Sequence, residues 1–142
     1  MKTITLLFSG AIIVLFASML YSAAIDPQLE KAIKNGKDLF KSNTFGGNGN
    51  TCETCHTAGG TKPGMTPGGM KLPSLSNAAA IFPRFNPKNN KVVTLEDQIM
   101  NCAAGGLQGK PPAYGSTEMN DLVCYITSLS QGKPIDMGGK PR

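Results

Sequence analysis

The chain has no tryptophan and one histidine, but it carries 17 glycines and 10 prolines among its 142 residues. A small chain with so few large aromatic side chains can bury only a limited apolar core by itself. A zinc site built mainly from imidazoles is excluded, because zinc needs four ligands and a single histidine is present. No internal repeat and no second domain is visible in the sequence. These absences indicate one small domain that needs a further apolar component to complete its core.

The first 24 residues predict a secretory signal peptide. Lys2 gives a positive start, positions 4–20 form an apolar run broken only by small or hydroxyl residues, and small residues at 22–24 suit a cleavage site. An uncleaved anchor is the alternative, since the run approaches the length of about 18 residues at which a membrane anchor becomes feasible. We therefore predict a signal peptide over 1–24, a mature domain over 25–142, and a periplasmic or other extracytoplasmic location.

The most specific motif is Cys52-Glu53-Thr54-Cys55-His56. Two cysteines two residues apart, with a histidine directly after, have the spacing that attaches haem c through two thioethers while the imidazole becomes an axial ligand. A zinc site would have to recruit Cys102 and Cys124 and would leave His56 without a role. A thioredoxin-like pair would need a βαβ context, which the flanks do not provide. We therefore predict one covalent haem c, bound by Cys52, Cys55 and His56, whose apolar surface completes the core.

Three segments have helical periodicity and helix-start signals. They are, in chain order, about Pro27 to Lys41 after an Asp26 N-cap, Thr94 to Ala103 or Ala104 before Gly105 and Gly106, and Ser116 or Thr117 to about Leu129. Gly36 within the first helix implies that another backbone approaches closely, because glycine otherwise weakens a helix. The stretch 58–90 is predicted to be ordered loop with about one helical turn.

Three parts of the sequence resemble class I cytochromes c: the segment 36–40, the Cys52 to His56 motif, and the segment 122–126. The resemblance implies an all-α fold, in which three to five helices and long Gly- and Pro-rich loops surround one covalent haem. It also implies that the first and last helices cross at nearly right angles, with Gly36 and Phe40 against Leu122 and Tyr125. The chain departs from the family at Lys110, which stands where the common type has a methionine ligand.

The second half is similar to the haem domains of thiosulfate dehydrogenases and of the SoxA subunit of sulfur oxidation. The segments that carry this similarity are Phe82-Pro83-Arg84-Phe85, Thr94 through Cys102, Gly109-Lys110-Pro111 and Glu118-Met119. The resemblance implies that Cys102, at the end of its helix, binds the iron as a thiolate on the side opposite His56. A thiolate beside a metal ion is favoured over a buried thiol.

Several alternatives for the distal side of the iron stay open. Lys110 and Met100 are the alternative ligands, with Met70 behind them. Met100 and Cys102 lie two residues apart on one helix and cannot both face the iron. Cys102 could instead form a disulfide with Cys124, which an oxidising compartment permits.

The sequence favours a monohaem cytochrome c that carries electrons outside the cytoplasm, in sulfur-compound metabolism if the second resemblance holds. The alternative is a thiosulfate-oxidising haem enzyme or subunit, in which Cys102 is catalytic and forms or cleaves a bond to a thiosulfate sulfur. Arg84 or Lys110 would then attract the anion, although either could instead pair with a haem propionate. A third class is a ligand sensor or storage cytochrome with a displaceable ligand.

The charge balance bears on the partners of the mature domain. Without Lys2, 13 basic residues stand against 9 acidic ones, a net charge of about +4. This favours a redox partner with an acidic docking face, or thiosulfate or a related sulfur anion. No nucleic-acid partner is expected, and membrane association is expected only if residues 1–24 are retained.

Overall fold

The computed structural model describes residues 25–141, so the predicted signal peptide lies outside the described residues. The described chain forms five α-helices: α1 (Pro27–Ser42), α2 (Cys52–Cys55), α3 (Ala78–Ile81), α4 (Leu95–Asn101) and α5 (Thr117–Leu129). A π-helical turn, Cys102–Gly106, continues α4. Four short strands complete the described elements: β1 (Gly64–Met65), β2 (Lys71–Leu72), β3 (Arg84–Asn86) and β4 (Lys91–Val93). Across residues 25–141, no helix combines the length and apolarity needed to cross a membrane.

Helix α1 begins where the sequence predicts, because two features of its first turn favour that position. The Asp26 carboxylate accepts hydrogen bonds from the backbone N–H groups of Gln28, at 2.8 Å, and Leu29, at 3.4 Å. Pro27 occupies the first turn, where its missing N–H costs nothing. The helix ends one residue beyond the predicted Lys41, at Ser42.

Helices α1 and α5 pack closely against each other at Gly36. A Cβ atom added at this glycine would overlap the Asp121 carbonyl oxygen and lie 2.8 Å from Cβ of Tyr125. Next to this contact the rings of Phe40 and Tyr125 meet edge to face, with centroids 5.4 Å apart. Phe40, Leu122 and Tyr125 are all buried in one core cluster. The predicted close approach at Gly36 is therefore confirmed, and it requires a residue without a side chain.

Helix α4 begins with the predicted capping box and ends earlier than predicted. The Thr94 hydroxyl accepts from the Asp97 N–H at 3.2 Å, and the Asp97 carboxylate accepts from the Thr94 N–H at 2.8 Å. The α-helical hydrogen bonding stops at Asn101, whereas the prediction extended it to residue 103 or 104. Beyond it, the Leu107 N–H donates to the Cys102 carbonyl at 3.1 Å, five residues back. The two glycines predicted to end the helix thus belong to the π-helical turn.

The stretch 58–90 contains more structure than the predicted loop. Its single helical turn is α3, but β1 pairs antiparallel with β2, and β3 pairs antiparallel with β4, which ends at Val93. The domain is mostly helical, in keeping with the expected fold class, and the two short hairpins are additional to the predicted loop. Strands of two or three residues have too little periodicity to be recognised in a sequence rich in glycine and proline.

Replacing Gly36 by alanine should destabilise the protein by about 2 kcal/mol or more, although alanine is the better helix former by about 1 kcal/mol. The added methyl group overlaps backbone atoms of Asp121, which cannot rotate away as a side chain could. Urea unfolding of the haem-containing protein measures the change.

Gly68→Ala is the matched control, because a Cβ there would meet only the Thr66 hydroxyl oxygen, at 3.9 Å. We expect its unfolding midpoint to stay within about 0.5 kcal/mol of the parent protein. A Gly36→Ala protein as stable as the Gly68→Ala control would show that the helices can separate without cost.

Candidate haem-binding site

The Cys52 to Cys55 segment forms one helical turn, α2, which brings its two thiols to the same side. The Thr51 N–H donates to the Thr54 hydroxyl at 3.0 Å and fixes the start of the turn. The His56 N–H donates to the Cys52 carbonyl at 2.9 Å and fixes its end. Residues three apart on a helix are neighbours on its surface. Both thiols are thus placed to reach one edge of a single planar group.

His56 has the properties of a metal ligand. Burial lowers the pKa of its imidazole, although the Pro73 carbonyl acts in the opposite direction and raises it. The ring is therefore neutral at pH 7, the form that offers a lone pair to a metal. Its Nδ1 is buried, and among the described residues no hydrogen-bond partner reaches it. The Pro73 carbonyl that raises the pKa lies beside the ring, so one ring nitrogen can face this carbonyl while the other is left for a metal.

The loop after the motif is hydrogen-bonded both to α5 and to the motif itself. The Tyr125 hydroxyl donates to the Gly59 carbonyl at 2.8 Å, and the Gly59 N–H donates to the Glu53 carboxylate at 3.0 Å. A Cβ atom at Gly64, in β1, would overlap the Cys55 carbonyl oxygen. The first hairpin thus crosses directly over the motif, which explains the need for glycine at this position of the loop.

Cys102 lies at the junction of α4 and the π-helical turn. Burial and, next in size, a negative charge on Cys102 raise the pKa of Cys52 to about 12. Burial raises the pKa of Cys102 as well, and the charge of Cys55 adds to that effect. Because such charge effects weaken with distance, they indicate that the three sulfur atoms lie near one another. The structure therefore brings Cys102 together with the two predicted attachment cysteines.

The four cysteines are all free thiols, so the Cys102–Cys124 disulfide considered from the sequence is not formed in this structure. Cys124 is half-buried on α5, and its neighbour Val123 packs against the core. Without a disulfide, Cys102 keeps the thiol that ligation of a metal requires.

The other predicted distal ligands have different surroundings. Met100 is half-buried and packs against the core cluster. Lys110 is exposed, and its backbone N–H donates to the Phe45 carbonyl at 2.8 Å. Met70 is 65% exposed. The distal ligand stays a prediction, with Cys102 as first choice and Lys110 or Met100 as alternatives.

The environment of Arg84 is suited to binding an anion. Its guanidinium carbon lies 5.0 Å from the centroid of the Phe82 ring. Its Nε is buried and lacks a hydrogen-bond acceptor within residues 25–141. A haem propionate or a sulfur anion would supply that acceptor, so both predicted roles for Arg84 stay open.

Two residues near the site were not singled out in the sequence. Pro73 provides the carbonyl that acts on His56, and no local pattern marks it. Gln98 donates from its side-chain amide to the Cys102 sulfur at 3.3 Å. Its position four residues before Cys102, one helical turn away, was a signal available from spacing alone.

Comparison with known proteins decides the family. The family model described as SoxA/TsdA, cytochrome c domain, matches residues 35–135, which include every site residue named above. The chain belongs to this family. The predicted resemblance to class I c-type cytochromes, and to these haem domains in particular, is confirmed, as is a cytochrome fold that binds haem c covalently.

Individual relatives agree with the family match. The chain is 32% identical over 120 residues to a thiosulfate dehydrogenase of Thiomonas intermedia, covering 81% of this chain and 36% of that protein. It is 29% identical over 116 residues to the L-cysteine S-thiosulfotransferase subunit SoxA of Chlorobaculum tepidum, covering 82% and 34%. The chain thus matches about a third of the length of these relatives.

The solved structure of thiosulfate dehydrogenase (TsdBA) from Marichromatium purpuratum superimposes with a TM-score of 0.63. The sequence identity is 22%, and the match covers 83% of this chain and 26% of the other. At this identity the likeness supports the fold.

Replacing Cys52 and Cys55 together by alanine should abolish covalent haem attachment, because no other thiols stand at thioether spacing. The parent protein and the double variant are produced in a host that attaches haem c. Haem staining after denaturing electrophoresis measures attachment. We expect the stained band of the double variant to disappear.

Cys124→Ala serves as the matched control, since it removes a thiol outside the motif. Its haem stain should equal that of the parent chain. A stained band persisting in the Cys52→Ala/Cys55→Ala protein would show that other residues hold the haem.

Proposed function

We propose that this chain is a monohaem c-type cytochrome that carries electrons outside the cytoplasm in sulfur-compound metabolism. Cys52 and Cys55 hold the haem, His56 binds the iron on one side, and Cys102 binds it on the other. The observation that supports the proposal is that the free Cys102 thiol lies close enough to the thiols of the haem motif for their charges to interact. The haem supplies reversible one-electron chemistry at its iron.

Ligation by Cys102 would lower the reduction potential of the haem. A thiolate brings a negative charge to the iron and stabilises the ferric state relative to a neutral methionine ligand. A domain ligated in this way would have a lower potential than the common histidine–methionine carriers. It would be suited to exchange electrons with other low-potential centres.

A redox partner follows from the proposed electron transfer, because a carrier must receive and deliver its electrons. The name of the Chlorobaculum relative describes it as a subunit, which supports an assembly with another protein. The net charge of about +4 on residues 25–142 favours a partner with an acidic docking face.

The extracytoplasmic location is proposed from residues 1–24 and from the requirement that haem c be attached outside the cytoplasm. N-terminal sequencing of the haem-stained protein checks it. A start at Ala24 or Ile25 would support cleavage and export, and a start at Met1 would contradict cleavage.

Replacing Cys102 by alanine should remove the low-spin thiolate signal from the electron paramagnetic resonance spectrum of the ferric protein. The reason is the loss of the sulfur donor, which no alternative side chain replaces with the same electronic effect. The optical spectrum should change with it, while covalent haem staining should be unaffected.

Cys124→Ala is the control for loss of a thiol away from the iron, and its spectrum should match that of the parent protein. Met100→Leu and Lys110→Ala test the other two candidates. A parent spectrum with a methionine–iron absorption band, lost in Met100→Leu, would overturn the assignment of Cys102.

The alternative function is a thiosulfate-oxidising haem enzyme or subunit, and the environment of Arg84 favours it. Its buried Nε, which has no acceptor among the described residues, could bind a sulfur anion. Oxidation of thiosulfate releases electrons that a single haem can accept only one at a time, so a protein acceptor would be needed. In this function Cys102 would be the catalytic residue.

Steady-state oxidation of thiosulfate with an artificial electron acceptor separates the two functions. A pure carrier should show no turnover, with or without added partner cytochromes. Turnover that falls at least 100-fold in Cys102→Ala, a loss typical for removal of a reacting group, would favour the enzyme.

A further inference from the structure

Gln98 contacts Cys102 in two ways. Its backbone carbonyl accepts a hydrogen bond from the Cys102 N–H, which also reaches the Ile99 carbonyl at the end of α4. Its side-chain amide nitrogen donates to the Cys102 sulfur at 3.3 Å. The same residue therefore holds both the backbone and the sulfur of the proposed ligand.

No other hydrogen bond of residues 25–141 reaches this sulfur. The nearby carboxylate of Asp97 is occupied by the Thr94 N–H on one oxygen and by the Tyr114 hydroxyl on the other. The Asp97 carboxylate thus makes its hydrogen bonds with groups other than Cys102. Gln98 remains as the donor on this helix that faces the sulfur.

The chemistry of the two groups defines the direction of the hydrogen bond. An amide nitrogen can only donate, and a thiolate bound to iron can only accept. A donor to an axial sulfur withdraws electron density from it and reduces its donation to the iron. Because ferric iron benefits more from that donation than ferrous iron, the hydrogen bond should favour the ferrous state.

We propose that Gln98 is a positioning residue for the distal ligand, whose amide hydrogen bond orients the Cys102 thiolate and raises the reduction potential of the haem. This inference rests on the proposed ligation by Cys102. The neutral Gln98 side chain would offset part of the decrease in haem potential that the thiolate causes.

The test compares Gln98→Leu and Gln98→Glu with the parent haem protein by potentiometric titration. Leucine removes the donor at similar volume. Glutamate keeps the shape but replaces the amide donor by an acceptor. It therefore still tests loss of the donor if the leucine variant folds poorly. Loss of one hydrogen bond should lower the ratio of ferrous to ferric haem about fivefold at a fixed ambient potential. Both midpoint potentials should therefore become more negative.

Asn101→Ala is the matched control, because Asn101 is an exposed polar residue directly before Cys102 and no hydrogen bond joins it to the sulfur. Its potential should equal that of the parent protein. The electron paramagnetic resonance spectrum of each variant provides a second measurement. In the two Gln98 variants the thiolate signal should persist with shifted g values, and in Asn101→Ala it should be unchanged.

The outcomes separate this inference from the proposed function. If the parent protein shows the thiolate signal but the Gln98 variants keep its potential, the inference is wrong and ligation by Cys102 stands. Equal shifts in the Gln98 variants and in Asn101→Ala would also overturn it, since they would reflect a general change in α4. If the parent protein lacks a thiolate signal, both the ligation and the inference are wrong.

Discussion

The close packing of α1 against α5 at Gly36 is the contact on which the geometry of the haem motif depends. It places Tyr125 where its ring meets Phe40 and its hydroxyl reaches the Gly59 carbonyl, three residues after His56. Phe40 in turn lies beside the imidazole, with ring centroids 6.4 Å apart. One helix pair therefore positions His56, the predicted proximal ligand, from two directions. A side chain at Gly36 would separate the helices and loosen both contacts together.

The distal side depends on a different local constraint. The capping box fixes the first turn of α4, and the change to π-helical hydrogen bonding begins at Cys102. A π-helical turn adds a residue to the helical repeat and changes the direction in which the following residues point. Such turns often occur at functional sites. The position of the only thiol proposed to bind the iron thus coincides with the one irregular turn among the described helices.

Much of the helical framework was predictable because its signals are local. Asp26, Thr94 and Ser116 each accept a hydrogen bond from the first turn of the helix that follows, as their residue types predicted. The hairpins were missed because pairs such as Gly64 with Leu72 form between residues that share no periodic pattern. The end of α4 was misplaced because a π-helical turn, which has no sequence rule, accommodates the glycines that normally end a helix.

The sequence by itself determined the cofactor, since thioether attachment requires two cysteines and a histidine at a spacing that one helical turn supplies. It also identified Gly36 as a point of close approach, because a glycine inside a helix has a local cost that packing must offset. Only the tertiary structure decided that Cys102 lies close enough to the motif thiols for their charges to interact, and that Cys124 does not bond to it. Cys102 and the haem motif lie about 50 residues apart in the sequence, so their proximity follows from how the helices pack.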